Sequence, residues 1–94
     1  MTTIYKYPIT DFNCRLTMPK AAKILSVGAQ AGAQGDQRLM LWAEVDTDQP
    51  MEQRQIEVFG TGHEIPQGMG VSREFIGTVI VSSLVWHVYE YTGV

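Results

Sequence analysis

Leu39-Met40-Leu41-Trp42-Ala43-Glu44-Val45-Asp46 decides the fold class. Leu39, Leu41, Ala43 and Val45 fall on one side of an extended chain, and Met40, Trp42, Glu44 and Asp46 fall on the other. This is the two-residue period of a strand with one buried face. The side carrying Trp42 ends in two carboxylates, so only partial cover is expected there.

The same period recurs on both flanks. Upstream, Ile4-Tyr5-Lys6-Tyr7 reads as a short strand stopped by Pro8, which has no ladder donor. Phe12 to Met18 places Cys14, Leu16 and Met18 on one face and ends at Pro19, and Lys23 to Val27 follows. Gly28 to Gln37 is small, polar and glycine-spaced, so it reads as a mobile hairpin tip. Downstream, Asp48 can cap free N–H groups and Pro50 suits a helix opening, which predicts one helical turn over residues 49–54. Gln55 to Phe59 resumes the strand pattern. Arg73 to Val81 and Val85 to Tyr91 flank a turn at Ser82-Ser83-Leu84. Both faces of residues 73–81 are apolar, which predicts a strand at a sheet centre. Six to seven short strands with turn signals between them predict one all-β domain over 1–94, a small antiparallel sandwich or rolled sheet.

The 94 residues include 7 Lys and Arg, 10 Asp and Glu and one Cys, for a net charge of -3. A lone Cys14 forms no internal disulfide and supplies no multi-thiolate metal site. The acidic balance argues against direct nucleic-acid binding, which needs clustered Lys and Arg. Every apolar run is interrupted by polar residues well short of the about 20 that a membrane-spanning helix needs. The first residues carry neither a charged start nor an apolar core, so a cytoplasmic location is expected. Charge is nevertheless uneven. Residues 1–23 hold Lys6, Arg15, Lys20 and Lys23 against Asp11, whereas Glu44, Asp46, Asp48, Glu52, Glu57 and Glu64 face only Arg54. Such a stretch is either a solvated face or a negative surface for a basic partner.

Gly60-Thr61-Gly62-His63-Glu64-Ile65-Pro66-Gln67-Gly68-Met69-Gly70 is the richest segment. Its glycines serve either sharp turns or close approach to a small ligand, with Gly60, Thr61, Gly62, His63 and Glu64 as the candidate contacts. No helical pattern follows, and no Gly-Lys-Ser/Thr is present to complete a phosphate loop. His63, Glu64 and His87 are the minimum set for a catalytic metal, but their spacing does not bring them together. His87, between Trp86 and Val88, reads better as a half-buried ring held by hydrogen bonds. Cys14 reads as an inert core thiol. No nucleophile, base and orienting group assemble, so no catalytic residue, metal or cofactor is assigned. His87, Tyr89 and Tyr91 share one strand face that is polar enough for an interface. With Trp42, Glu44 and Glu57 they form the candidate contact surface, for self-association or for a partner.

Ile4-Tyr5-Lys6-Tyr7-Pro8, Met18-Pro19, Ala22-Lys23-Ile24-Leu25-Ser26-Val27, Leu41-Trp42-Ala43, Glu57-Val58-Phe59-Gly60-Thr61-Gly62-His63, Phe75-Ile76-Gly77-Thr78 and Leu84-Val85-Trp86-His87-Val88 run in order along the chain. Together they resemble a family of short phage and prophage proteins of uncharacterised function. The resemblance implies a source, and no catalytic residue comes with it. It implies an accessory protein in the host cytoplasm, most directly an inhibitor of host antiviral defence. Its partner would be a host defence protein or a signalling nucleotide. A virion or assembly accessory protein and a small metal-dependent hydrolase are the alternatives.

Overall fold

Seven strands build the chain in the computed structural model, which describes residues 1–93. They are β1 (Thr2–Pro8), β2 (Asn13–Pro19), β3 (Lys23–Ala31), β4 (Gln37–Asp46), β5 (Met51–Gly60), β6 (Arg73–Val81) and β7 (Leu84–Tyr91). A three-stranded sheet has the order β1-β4-β3 and a four-stranded sheet the order β2-β5-β7-β6, with every pairing antiparallel. The all-β expectation holds.

The alternation in β4 fixes how the sheets meet. Leu41, Ala43 and Val45 are almost wholly buried and face Met18, Ile56, Val58 and Val88 of the other sheet. Removing such aliphatic side chains from water contributes roughly 1.5–3 kcal/mol each for the larger ones. The thinnest principal extent of the Cα trace is 16 Å. Stacked sheets lie about 10 Å apart, so a single layer of interdigitating side chains fills the space. Along one side of the sandwich, β3 runs beside β6. A Cβ on Gly77 would sit 2.9 Å from a Val27 methyl, so the approach depends on glycine there. Both strands carry an irregularity nearby, between Ile24 and Ser26 in β3 and between Phe75 and Gly77 in β6.

At one end of this layer lies a charged group. Arg54 projects inward from β5 and grips Glu90 of β7 with Nε and Nη2, while Nη1 donates to the Ala22 carbonyl at 2.8 Å. Their side chains are 19% and 10% exposed. The guanidinium thereby ties the four-stranded sheet to the β2–β3 turn.

The structure corrects three local expectations. Residues 51–54 are strand, not a helical turn. Gln49 N–H donates to the Asp46 carbonyl and Asp48 N–H to the Asp46 carboxylate, closing a tight turn, and Met51 then pairs with Pro19. Asp and Pro serve turns as readily as helix starts, and the β2 ladder decides between them. Strand β6 lies at a sheet edge, not its centre. Val79 faces the core, but Phe75 and Ile80 on its other face are 58% and 67% exposed. The hairpin tip is shorter than 28–37, because β3 extends to Ala31 and β4 starts at Gln37.

Val81 pairs with Leu84, leaving Ser82 and Ser83 as a two-residue hairpin loop at φ 48° and 69°. Two left-handed residues are what a type I′ turn requires, and Asn-Gly fills it with less strain than Ser-Ser. Replacing Ser82-Ser83 by Asn-Gly is expected to add about 1 kcal/mol of stability. That raises the calorimetric melting midpoint by about 4–8 °C for a domain of this size. An unchanged midpoint would show that the turn holds no strain. For the inner pair, Arg54→Met alone leaves Glu90 unpaired and is expected to cost about 3–5 kcal/mol, whereas Arg54→Met with Glu90→Leu costs markedly less. Equal losses in urea titration would refute the coupling.

Candidate functional site

The outer face of the four-stranded sheet gathers the residues with the most binding chemistry. Register puts Glu57 and Phe59 of β5, His87, Tyr89 and Tyr91 of β7, and Arg73, Phe75, Thr78 and Ile80 of β6 on this side. The Tyr89 ring lies between Phe59, 5.8 Å away edge-to-face, and Phe75, 5.2 Å away. The Arg73 guanidinium lies over the Phe59 and Tyr91 rings, at 5.6 and 5.5 Å from their centroids. Its Nε donates to Glu57 Oε1 at 2.6 Å, and its Nη1 donates to the Pro66 carbonyl at 2.6 Å. The two side chains are only 9% and 13% exposed, although they stand on a face turned away from the core. The cover comes from the 61–72 segment, which folds back to Arg73 through Pro66. Beyond it, Phe75 and Ile80 are open to solvent.

The glycines of 60–70 do turn work. His63 N–H donates to the Gly60 carbonyl and Val71 N–H to the Gly68 carbonyl, each closing a four-residue turn. Gly62 at φ 87° and Gly70 at φ 80° occupy the third position, where a type II turn needs a left-handed residue. The turn at 60–63 straddles the end of β7. On the outer side, Thr61 Oγ1 is 2.8 Å from His87 Nε2, and Thr78 Oγ1 is 2.9 Å from Nδ1, so both ring nitrogens are engaged. On the inner side, His63 accepts the Gly60 N–H at Nδ1 and meets Trp86 edge-on at 6.3 Å. Glu64 is exposed.

The two histidines thus flank different faces of β7. Among the described residues no group of His, Cys, Asp and Glu is placed to hold a metal ion. A depression of about 300 Å³ borders the loop between His63, Leu84 and Trp86, and its lining residues include no Lys or Arg. The segment 61–72 contains no Lys or Arg either. Between the sheets, at the end away from Arg54, a cavity of about 200 Å³ is lined by Ile9, Phe12, Leu39, Val58, Val81 and Trp86. That is below the about 300 Å³ at which small-molecule sites begin. Burial pushes the Cys14 thiol up from its ordinary value, which favours the unreactive protonated form.

The candidate contact residues divide between two sides. His87, Tyr89, Tyr91 and Glu57 do share the outer face of the four-stranded sheet. Trp42 and Glu44 lie on the outer face of the other sheet, where the Trp42 ring covers Gly28. Glu57 is no free carboxylate for a basic partner, since Arg73 occupies it. Glu52 likewise accepts the Ala21 N–H and lies 3.7 Å from Arg54. Arg73, Phe59 and Phe75 were not singled out from the sequence. Their alternation along β5 and β6 was the available signal, but which strands are neighbours is a non-local fact.

If His87 pins the turn to the sheet, Thr61→Val removes one hydrogen bond and is expected to cost about 1 kcal/mol. Amide hydrogen exchange over 62–72 should accelerate while that of β4 and β5 stays protected. Unchanged exchange across the loop would show that the Thr61–His87 contact does not hold it.

Comparison with curated proteins and with solved structures yields no match. Among the described residues no helix is long and apolar enough to cross a membrane. A family match covers residues 1–93, and on it the chain belongs to the family described as a domain of unknown function (DUF7352).

Proposed function

We propose that the domain is a non-catalytic binding module, an accessory protein of phage or prophage origin that inhibits host antiviral defence by capturing a host protein on the outer face of its four-stranded sheet. The observation that carries this is the open aromatic surface around Tyr89. Phe59 and Phe75 hold its ring edge-on, and Phe75 is 58% exposed. Aromatic anchors fixed on rigid strands supply most of the energy of protein interfaces at low entropic cost. The Arg73–Glu57 pair is already matched within the chain, so a partner need not neutralise a buried charge to dock there.

A protein effector is favoured over a signalling nucleotide on electrostatic grounds. Phosphate capture calls for free cations or an array of backbone donors at a helix start. The 61–72 segment has neither Lys nor Arg, and the guanidinium beneath it is taken by Glu57. A hydrolase built on His63, Glu64 and His87 lacks the convergence that metal ligation requires.

The test is expression in a host carrying an antiviral defence, with phage plating efficiency as the readout. The wild-type chain is expected to raise plating and to co-purify with a host protein, and Phe75→Asp to lose both with its circular dichroism spectrum unchanged. Retained inhibition by Phe75→Asp would overturn the placement of the contact surface. A wild-type chain that raises plating while releasing a nucleotide on denaturation would overturn the protein partner.

A further inference from the structure

The four sheet edges differ in what they offer a second strand, and the hydrogen-bond pattern shows which residues each presents. Ile9 N–H donates to the Leu39 carbonyl and Thr47 N–H to the Met1 carbonyl, both at 2.9 Å. In an antiparallel ladder this assigns the odd-numbered residues of β1 to the bonds with β4. The N–H and C=O groups of Thr2, Ile4 and Lys6 therefore point to the free side. The edge is a regular run with no bulge. Ile4 and Tyr5 upon it are 57% and 40% exposed.

The other edges are blunted. Strands β3 and β6 carry register shifts and run beside each other, so neither is open. On β2, Val58 N–H donates to the Phe12 carbonyl and Lys20 N–H to the Pro50 carbonyl, which leaves Asn13, Arg15 and Thr17 facing outward. A two-fold pairing of that edge that leaves the donor-less Pro19 outside the paired stretch opposes Arg15 to Arg15 of the second copy, and the register one step on brings Pro19 against Asn13 at both ends. Like charges directly across a ladder are destabilising, and edge cations are a recurrent guard against such pairing.

We propose that β1 pairs antiparallel with β1 of a second copy, about a two-fold axis at Ile4, joining the two three-stranded sheets into one. In this register Thr2 faces Lys6 of the second copy, Ile4 faces Ile4, and Lys6 faces Thr2. Each of these positions presents its N–H and C=O to the partner, so all three pairs close both bonds. Pro8, which lacks a donor, lies beyond the paired stretch. No like charges stand opposite one another. The next register along would bring Pro8 against Thr2 at both ends, losing two bonds so that it closes no more than this one, and would oppose Ile4 to the Lys6 ammonium; a further shift would oppose Lys6 to Lys6. The proposal goes beyond the binding function above and does not use the aromatic face.

Sedimentation equilibrium of the full chain is expected to give about twice the 10.5 kDa chain mass at high protein concentration. Ile4→Lys places two ammonium groups face to face across the axis and is expected to return the mass to that of one chain, with an unchanged circular dichroism spectrum. In a Cys14→Ala background, Ile4→Cys is expected to cross-link into a dimer under mild oxidation, because opposed hydrogen-bonded positions lie about 5.5 Å apart at Cα, within disulfide reach. Phe75→Cys in the same background should not. A wild-type chain that stays monomeric, a dimer that survives Ile4→Lys, or cross-linking of the Phe75→Cys chain in place of the Ile4→Cys chain would each overturn the pairing.

Discussion

The structure depends on a constraint of thickness. Two sheets of a chain this short enclose one layer of side chains, so each strand contributes only alternate residues to the core. Leu41, Ala43 and Val45 commit one side of β4 to that layer, as Ile56 and Val58 do for β5 and Val88 for β7. The second side of every strand is left to other uses. On the three-stranded sheet it carries Trp42, Lys6 and Glu44. On the four-stranded sheet it carries a ring cluster and an ion pair under a loop. Function in such a molecule is therefore sought on outer faces and edges, since the interior has little room to hold anything besides its own side chains.

Charge follows the same geography. The chain holds more acids than bases, which at the level of composition suggests a negative surface. Two of its three arginines beyond position 23 are instead engaged by carboxylates with little exposure to water. Arg54 holds Glu90 between the sheets, and Arg73 holds Glu57 beneath Pro66. Pairs this enclosed cost desolvation to form, and their worth lies as much in specifying which strands are neighbours as in net stability. The first joins elements far apart in the chain, and the second spans β7 to join the consecutive strands β5 and β6. Arg54 reaches Glu90 and the Ala22 carbonyl, and Arg73 reaches Glu57 and Pro66.

Period-two alternation located every strand of the fold, because the burial of one face leaves a direct mark on residue order. It also identified His87, Tyr89 and Tyr91 as sharing a face and His87 as a hydrogen-bonded ring. What it could not convey was adjacency. The two apolar faces of β6 look alike in sequence whether the strand has one neighbour or two, and only pairing with β7 alone makes it an edge. Trp42 and His87 look equally suited to an interface, yet they lie on different sheets. The Asp48-Gln49-Pro50 run has turn chemistry and helix-start chemistry at once, and the ladder with β2 resolved it. Arg73 opens a strand like any surface cation, and its burial depends on a loop whose path was not written in any periodicity.

The order in which strands enter the two sheets has a consequence for the birth of the molecule. The chain passes from one sheet to the other after β1, again after β2 and again after β4, so the three-stranded sheet is complete by Asp46 while the four-stranded sheet takes β2 from before that point and β5, β6 and β7 from after it. Met18 and Leu41 share one buried cluster with Ile56, Val58 and Val88, which all come later in the chain. A nascent chain that has emerged only as far as Asp46 thus holds the strands of the three-stranded sheet but lacks most of the layer that covers its apolar face. Its assembly waits on long-range closure, the slow kind of step for a β topology, and until then its apolar stripes are left to solvent or to a chaperone.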